Sequence, residues 1–371
     1  MPREPMPGGT PTAKPATESG RKPALRPVRW QPPRSPARAR ARRSRTPLPP
    51  VRRFPLGGRG PEDVRIDARG QVLTGVEDGR VLALDPADGR VRTLADTGGR
   101  PLGLCPLPDG DLLVCDAERG LLRLNPGSGR VETVLREAGG RPLGVCSNAV
   151  AAPDGAWYLT DATARFPLRH WMGDLLEHSG TGRLIRCEPG GTAEVVLDGL
   201  QFANGVALAA DGSFLVVAET GSYRLTRLWL TGPRAGRSEV FIDNLPGFPD
   251  NLSTGPTGLI WVALAGPREP LLDLLHRTPP ALRRAVWSLP SALLPGPRPT
   301  AWVIALDAAG RLVHDLQRPG TGYRTVTSAV EHGEHLYLGS LVEPSVGAVR
   351  LEPAGRVSAG SSPWPCGTPR R

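Results

Sequence analysis

The stretch Leu200–Glu219, "LQFANGVALAADGSFLVVAE", holds two apolar runs on either side of the turn Ala210-Asp211-Gly212. Runs this short, joined through Asp-Gly, specify an antiparallel hairpin rather than a helix. The same grammar recurs along the chain. Gly70, Gly110, Gly155, Gly212, Gly258 and Gly333 each follow a short strand signal and precede another, at spacings of 40, 45, 57, 46 and 75 residues. A second set, Gly89, Gly129, Gly191, Gly236, Gly310 and Gly355, alternates with the first. Two hairpin turns per period of about 40–50 residues predict small four-stranded sheets whose faces only their neighbours can bury, the arrangement of a β-propeller. Six pairs of turns predict an all-β, six-bladed β-propeller over residues 54–357, with a flexible tail at 358–371.

The longest gap holds "EPLLDLLHRTPPALRRAVWSLPSALL". Leu271, Leu272, Leu274 and Leu275, then Leu282, Val286, Trp287 and Leu289, group as on two short amphipathic helices. This helical insertion, 267–299 in blade 5, is expected to pack on the rim, to lid the mouth, or to contact a membrane surface with Arg283 and Arg284 at the headgroups. No run approaches the 18 or more apolar residues of a membrane span, and no apolar stretch follows the arginine pairs near residue 43, so the expected location is cytoplasmic.

The 371 residues carry a formal charge of +10, but 14 of the 46 Lys and Arg and only 2 of the 36 acids fall in residues 1–53. The remainder has 32 basic and 34 acidic residues, a net of −2. With 13 prolines in its first 50 residues, the basic segment is expected to be a disordered arm that touches acidic surfaces without specificity. No specific nucleic-acid partner is implied. Cys105, Cys115, Cys146, Cys187 and Cys366 are odd in number and lack C-x-x-C spacing. They argue against a disulfide framework and a zinc site, and the first four, in or beside apolar runs, read as small core residues.

A polar residue stands ahead of the first turn glycine in four blades. Glu62, Asn204 and Asp250 precede theirs by 8 positions and Asn148 by 7. Innermost strands converge on the axis of a propeller, so these side chains can meet. Two carboxylates and two amides suit one hard divalent cation such as Ca²⁺; turn capping by the same residues is the plainer alternative.

The strings "GRPLGL", "LLVCDAERGLLRL", "NAVAAPDGAWYLTDAT", "LQFANGVALAADGSFLVVAE", "RLTRLWLTGPRAG" and "NLPGFPDNLS" resemble the strictosidine synthase-like proteins, on the branch that includes adipocyte plasma membrane-associated protein. More distantly they resemble the senescence marker protein/gluconolactonase and paraoxonase-type propellers. The resemblance runs from about Phe54 to Leu351. It implies an axial calcium-type ion with Glu62, Asn204 and Asp250 as ligands and Asn148 as a ligand or a substrate-orienting amide. It also implies metal-dependent hydrolysis of lactones or aryl esters, with Asp250 and Asn148 as catalytic residues and a small ester or lactone as substrate. A non-catalytic binding module is the alternative. Strictosidine synthases proper use a glutamate four residues before the Glu-His pair of the last blade. Here that position is Thr327 in "VTSAVEHGEHLYLGS", and Glu331 lies four residues on, about 13 Å along a strand, so amine–aldehyde condensation is not expected.

The remaining polar residues are read as structural. His170 and His178 are expected on an exposed loop of the third blade, within reach of the mouth, and His314, His332 and His335 as structural. Asp161 is expected to bond backbone amides, and Glu219 to pair with Arg224 and Arg227.

Overall fold

Gly212 takes φ +69°, a left-handed conformation that costs glycine little. Its N–H donates to Ala209 O at 2.8 Å, which closes the hairpin between Ala203–Leu208 and Phe214–Glu219. The five other glycines of the first set also have positive φ, and each joins the first and second strands of a sheet. The computed structural model describes residues 21–41, 43–290, 293–294, 298–320 and 322–351, and it holds six four-stranded antiparallel sheets arranged as a propeller. Blades 1 to 5 occupy residues 64–96, 101–135, 146–200, 203–242 and 247–319, and blade 6 takes its first three strands from 326–350. The first strand of each blade is the innermost, and neighbouring first strands pack together around the axis.

The sixth blade closes differently from the pattern of turns. Its outermost strand is Arg52–Pro55, which pairs antiparallel with Ser345–Arg350 in the register Arg52 to Ala348. Gly355 and the expected tail at 358–371 lie outside the described residues. Pairing a strand from ahead of blade 1 with the last strand of the propeller ties blade 6 to the start of blade 1. The core lies between blades. Val216, Leu225, Val262, Trp302 and Ile304 fill one such layer, and Cys105, Cys115, Cys146 and Cys187, buried free thiols, belong to another.

Of the expected disordered arm, residues 1–20 and 42 lie outside the described residues, whereas residues 21–41 and 43–53 are ordered against the propeller. Leu25 is 6% exposed and Leu48 0%. Around a one-turn helix, α1 (Ala37–Arg40), Arg38 forks onto Asp315. A proline-rich strand makes no hydrogen bonds of its own and leaves every carbonyl open to outside donors. Arg165 donates to Ala24 O, Arg277 to Pro32 O and Arg268 to Pro33 O. Composition describes the segment alone, whereas these donors belong to the propeller.

The long connection within blade 3 forms α2 (Trp171–Glu177). The insertion in blade 5 forms α3 (Pro270–Arg277) and α4 (Pro280–Ser288). Its buried side differs from the expected apolar stripe. Leu275 and Trp287 are buried, but so are Asp273, His276 and Arg283, while Leu271, Leu274, Leu282 and Leu289 are exposed. Tertiary partners explain the inversion: Arg268 Nη2 and the Tyr223 hydroxyl both donate to Asp273, at 2.9 and 3.1 Å. Arg283 donates to Leu176 O and to Val28 O, tying α4 to α2 and to the arm.

Candidate active site

Side chains along a strand alternate between faces, and an extra residue in one strand re-aims those beside it. Five of the innermost strands carry such an interruption, at Leu102-Gly103, Ser147-Asn148, Asn204-Gly205, Asp250-Asn251 and Thr327. Leu102, Ser147, Asn204, Asp250 and Thr327 line a cavity at the axis, together with Glu62.

The second residue of each pair turns away from that wall into a buried polar layer. Asn148 Nδ2 donates to Asn251 Oδ1 at 2.9 Å and to Asp63 Oδ2 at 3.3 Å. Asn251 Nδ2 in turn donates to Glu62 Oε1 at 2.8 Å. Arg65 closes the layer from the other side, donating to Asn148 Oδ1 at 3.2 Å and lying 3.3 Å from Asp63. Blades 2 and 4 have glycine at this level for lack of room: a Cβ on Gly205 would stand 2.5 Å from Asn251 Cα.

The structure therefore brings three of the four expected ligands to one surface and sets the fourth beneath it. Glu62, Asn204 and Asp250 face the cavity, whereas the side chain of Asn148 is committed to Asn251, Asp63 and Arg65. The offset of 7 rather than 8 from the turn glycine was the available signal. Counting back 8 in every blade gives Glu62, Leu102, Ser147, Asn204, Asp250 and Thr325, all of which line the cavity. Sequence reasoning passed over Ser147, and over Asn251 and Asp63 in the layer beneath.

Glu62 is 5% and Asp250 7% exposed. Glu62 Oε2 and Asp250 Oδ1 are buried without a hydrogen-bond partner. Burial, with the Asp63 charge added, pushes the Glu62 carboxyl up to about 7. Burial and the Glu62 charge raise Asp250 well above the ordinary carboxylate range, against the pull of the Asn204 amide. Two carboxylates sharing a dry site resist joint ionisation unless a positive charge joins them. Around them stand neutral oxygens. Ser147 Oγ donates to Asn204 Oδ1 at 2.9 Å, Asn204 Nδ2 to Thr220 Oγ1 at 3.3 Å, and Thr327 Oγ1 to Glu62 O at 2.6 Å.

Among the described residues no group of three or more His, Cys, Asp and Glu side chains forms a metal-ready cluster. A cation at this place would rest on two carboxylates and neutral oxygens. That all-oxygen donor set, with two oxygens unused, fits a hard divalent ion.

The cavity, of about 420 Å³, has this polar floor, and Glu77, Arg100, Arg169 and Glu269 also line it. The rest of the wall is mostly apolar, with Trp171, Met172 and Leu175 from α2, Phe202 and Phe248 from the blades, and Leu272 from α3. The insertion thus covers the axial site.

His170 and His178, expected on an exposed loop, are 9% and 5% exposed and lie outside the cavity wall. The arm and the insertion cover them. The His178 ring stacks on Trp30 with centroids 3.9 Å apart, and His170 meets the edge of Trp287. His314 stacks on Trp261, and His332 and His335 are exposed backbone partners across the last turn. Asp161 accepts the Gly144 and Val145 N–H groups. Glu219 pairs with Arg224, but Arg227 pairs with Glu239 instead. Glu331 accepts from Trp261 Nε1 at 2.8 Å and does not line the cavity.

Residues 148–233 match the strictosidine synthase family, and residues 48–84 match the family described as strictosidine synthase-like, N-terminal. Among solved structures, the chain resembles a gluconolactonase from Xanthomonas campestris (TM-score 0.59, 19% identity, covering 90% of this chain and 99% of that one). It also resembles the calcium-binding protein regucalcin from Agrobacterium tumefaciens (TM-score 0.58, 17% identity, 85% and 100% covered). At such identities the likeness establishes the propeller alone. The sequence relatives reach further. Protein STRICTOSIDINE SYNTHASE-LIKE 10 of Arabidopsis thaliana is 34% identical over 324 residues, covering 80% of this chain and 86% of the relative. Adipocyte plasma membrane-associated protein of Bos taurus is 32% identical over 318 residues, covering 79% and 76%. With identity of this extent spread along the propeller, the chain belongs to the strictosidine synthase-like family.

Proposed function

We propose that the protein is a divalent-cation-dependent hydrolase of lactones or aryl esters, acting at the Glu62–Asp250 pair. The observation that carries this reading is the pair of unused, buried carboxylate oxygens at the floor of a mostly apolar cavity. Buried polar atoms are ordinarily satisfied, and two unsatisfied acids on one surface are costly unless a ligand uses them.

Glu62, Asp250 and Asn204 would hold the cation. When bound, it supplies Lewis-acid polarisation of an ester carbonyl. Asp250 lines the cavity, and its carboxylate is suited to take the proton of an attacking water. Asn251 fixes Glu62 through a 2.8 Å hydrogen bond, and Asn148 fixes Asn251, so Asn148 acts as a positioning residue. Ser147 and Thr220 hold the Asn204 amide, and the walls exclude bulk water. At Thr327, on the cavity wall, a hydroxyl bonded to Glu62 O stands where a condensing enzyme would have an acid, which favours hydrolysis over condensation.

The test is hydrolysis of a panel of lactones and aryl esters by the purified full chain, before and after chelation and with Ca²⁺, Mn²⁺ or Mg²⁺ restored. Activity lost to chelator and regained with metal is the expected result. A well-folded, metal-binding protein without turnover on any ester would overturn the hydrolase in favour of the binding module.

A further inference from the structure

Arg100 stands just ahead of the innermost strand Pro101–Pro106 of blade 2 and lines the cavity. It is 7% exposed. Its Nη2 donates to Gly60 O at 2.9 Å and its Nη1 reaches Pro101 O at 3.5 Å. Among the described residues no carboxylate makes an ion pair with it; Asp116 accepts only its backbone N–H. Burial pulls its pKa below the ordinary arginine value, against the opposing charges of Glu62 and Glu77. A guanidinium offers five donors in a fixed fork and stays charged when buried. Buried with acids near it but none in direct contact with its guanidinium, it is a costly group to leave unpaired. The cheapest way to satisfy it is an anion that enters with the ligand.

We propose that the cavity binds an amphipathic carboxylate, with its head on Arg100 and a medium-length alkyl or aryl tail against Trp171, Met172, Leu175, Phe248 and Leu272. This rests on the hydrolase reading for the origin of the acid, although binding itself can be measured without turnover. Hydrolysis generates such a group. Water adds its oxygen to the acyl carbon, the acyl C–O bond breaks, the leaving oxygen takes one proton, and the new acid loses the other. The product therefore carries one negative charge that the neutral ester lacked. Arg100 is placed to take that charge beside the floor where it forms, and the apolar walls select acyl-chain lactones or esters over sugar lactones.

Calorimetric titration of the full chain with hexanoate, octanoate, decanoate, 1-decanol and gluconate in Ca²⁺-containing buffer tests the proposal. Affinity for the carboxylates should rise about fourfold per methylene, the gain from burying each one, and gluconate should bind at least a hundredfold more weakly than decanoate. Arg100→Gln should lose tenfold or more in decanoate affinity and change decanol less than twofold, with Arg100→Lys intermediate. Gluconate binding as well as decanoate, or an Arg100→Gln protein that keeps its decanoate affinity, would overturn the assignment. The chain-length series needs no variant, so the tail half of the proposal stands or falls even if Arg100→Gln fails to fold. Because every readout is binding, a protein that hydrolyses nothing would sink the hydrolase without touching this result.

Discussion

Asp161 and Asp250 are both buried acids on strands of the blades, and they are treated in opposite ways. Asp161 Oδ1 accepts two backbone N–H groups, from Gly144 and Val145, each at 2.9 Å, and Oδ2 takes Arg183 in a fork of 3.0 and 2.5 Å. Blades 2 and 4 repeat the device. Asp116 accepts the Arg100 N–H and the Thr97 hydroxyl, and Glu219 accepts the Gln201 N–H, the Arg224 fork and the Thr226 hydroxyl. Each acid ends the second strand of its blade and ties down the chain entering the first. Asp250 and Glu62 are equally dry and keep one oxygen each unused. Burial does not separate structural acids from functional ones here. What separates them is whether the fold has spent their lone pairs.

Substitution of one acid from each set should therefore give opposite phenotypes. Asp161→Asn removes the charge opposite an enclosed guanidinium, and breaking a buried pair in this way costs about 3–5 kcal/mol. Denaturant unfolding should show that loss, while the folded fraction keeps its hydrolysis rate. A variant as stable as the parent would mean that the latch acids are not what ties the blades to their inner strands. Asp250→Asn should do the reverse. Hydrolysis should fall roughly 10²–10³-fold, the scale of losing one preorganised charge contact, and the rise in melting temperature on adding Ca²⁺ should disappear. In metal-free buffer this variant should be as stable as the parent or more so, because the repulsion between Asp250 and Glu62 is relieved. Destabilisation without loss of turnover would place Asp250 among the latches.

The sequence carried one half of this contrast more plainly than the other. The propeller was legible because a turn glycine at positive φ is a local requirement that repeats with the blade. Glu62, Asn204 and Asp250 were legible because they share a phase with those glycines. Asn148 kept the phase only to within one residue. The interruption at Ser147-Asn148 then assigned the cavity to the serine and the buried layer to the amide. The closing strand Arg52–Pro55 carried no turn signal, since its partner lies at the far end of the chain. The arm and the polar underside of α3 and α4 were illegible for a related reason. Pro32, Pro33 and Asp273 are satisfied by Arg277, Arg268 and Tyr223 across the fold, and no local pattern encodes such partners.

The contrast extends from acids to bases at His178 and His276, away from the cavity floor. His178 Nδ1 is buried without a partner. The two rings lie with Trp30 between the arm, α2 and α3, where Arg283 and Arg224 add positive charge. Burial first, then like charge, lowers both histidines to about 3. They stay neutral in the fold while the same residues in the unfolded chain protonate below about 6.5. Between those values the unfolded state binds more protons, so stability is complete above pH 6.5 and falls as pH falls, by up to about 1.4 kcal/mol per pH unit for each histidine. The melting temperature should decline from pH 7 to pH 5. His178→Asn, which tolerates the left-handed backbone at that position (φ +58°), should decline less steeply. Parallel lines for the two proteins would mean that His178 gains no more from neutrality in the fold than it does in water. A shallower line for the variant would show that an unsatisfied buried group is tolerated where no cavity uses it, at a cost that appears only when acid makes the unfolded chain the better host for the proton.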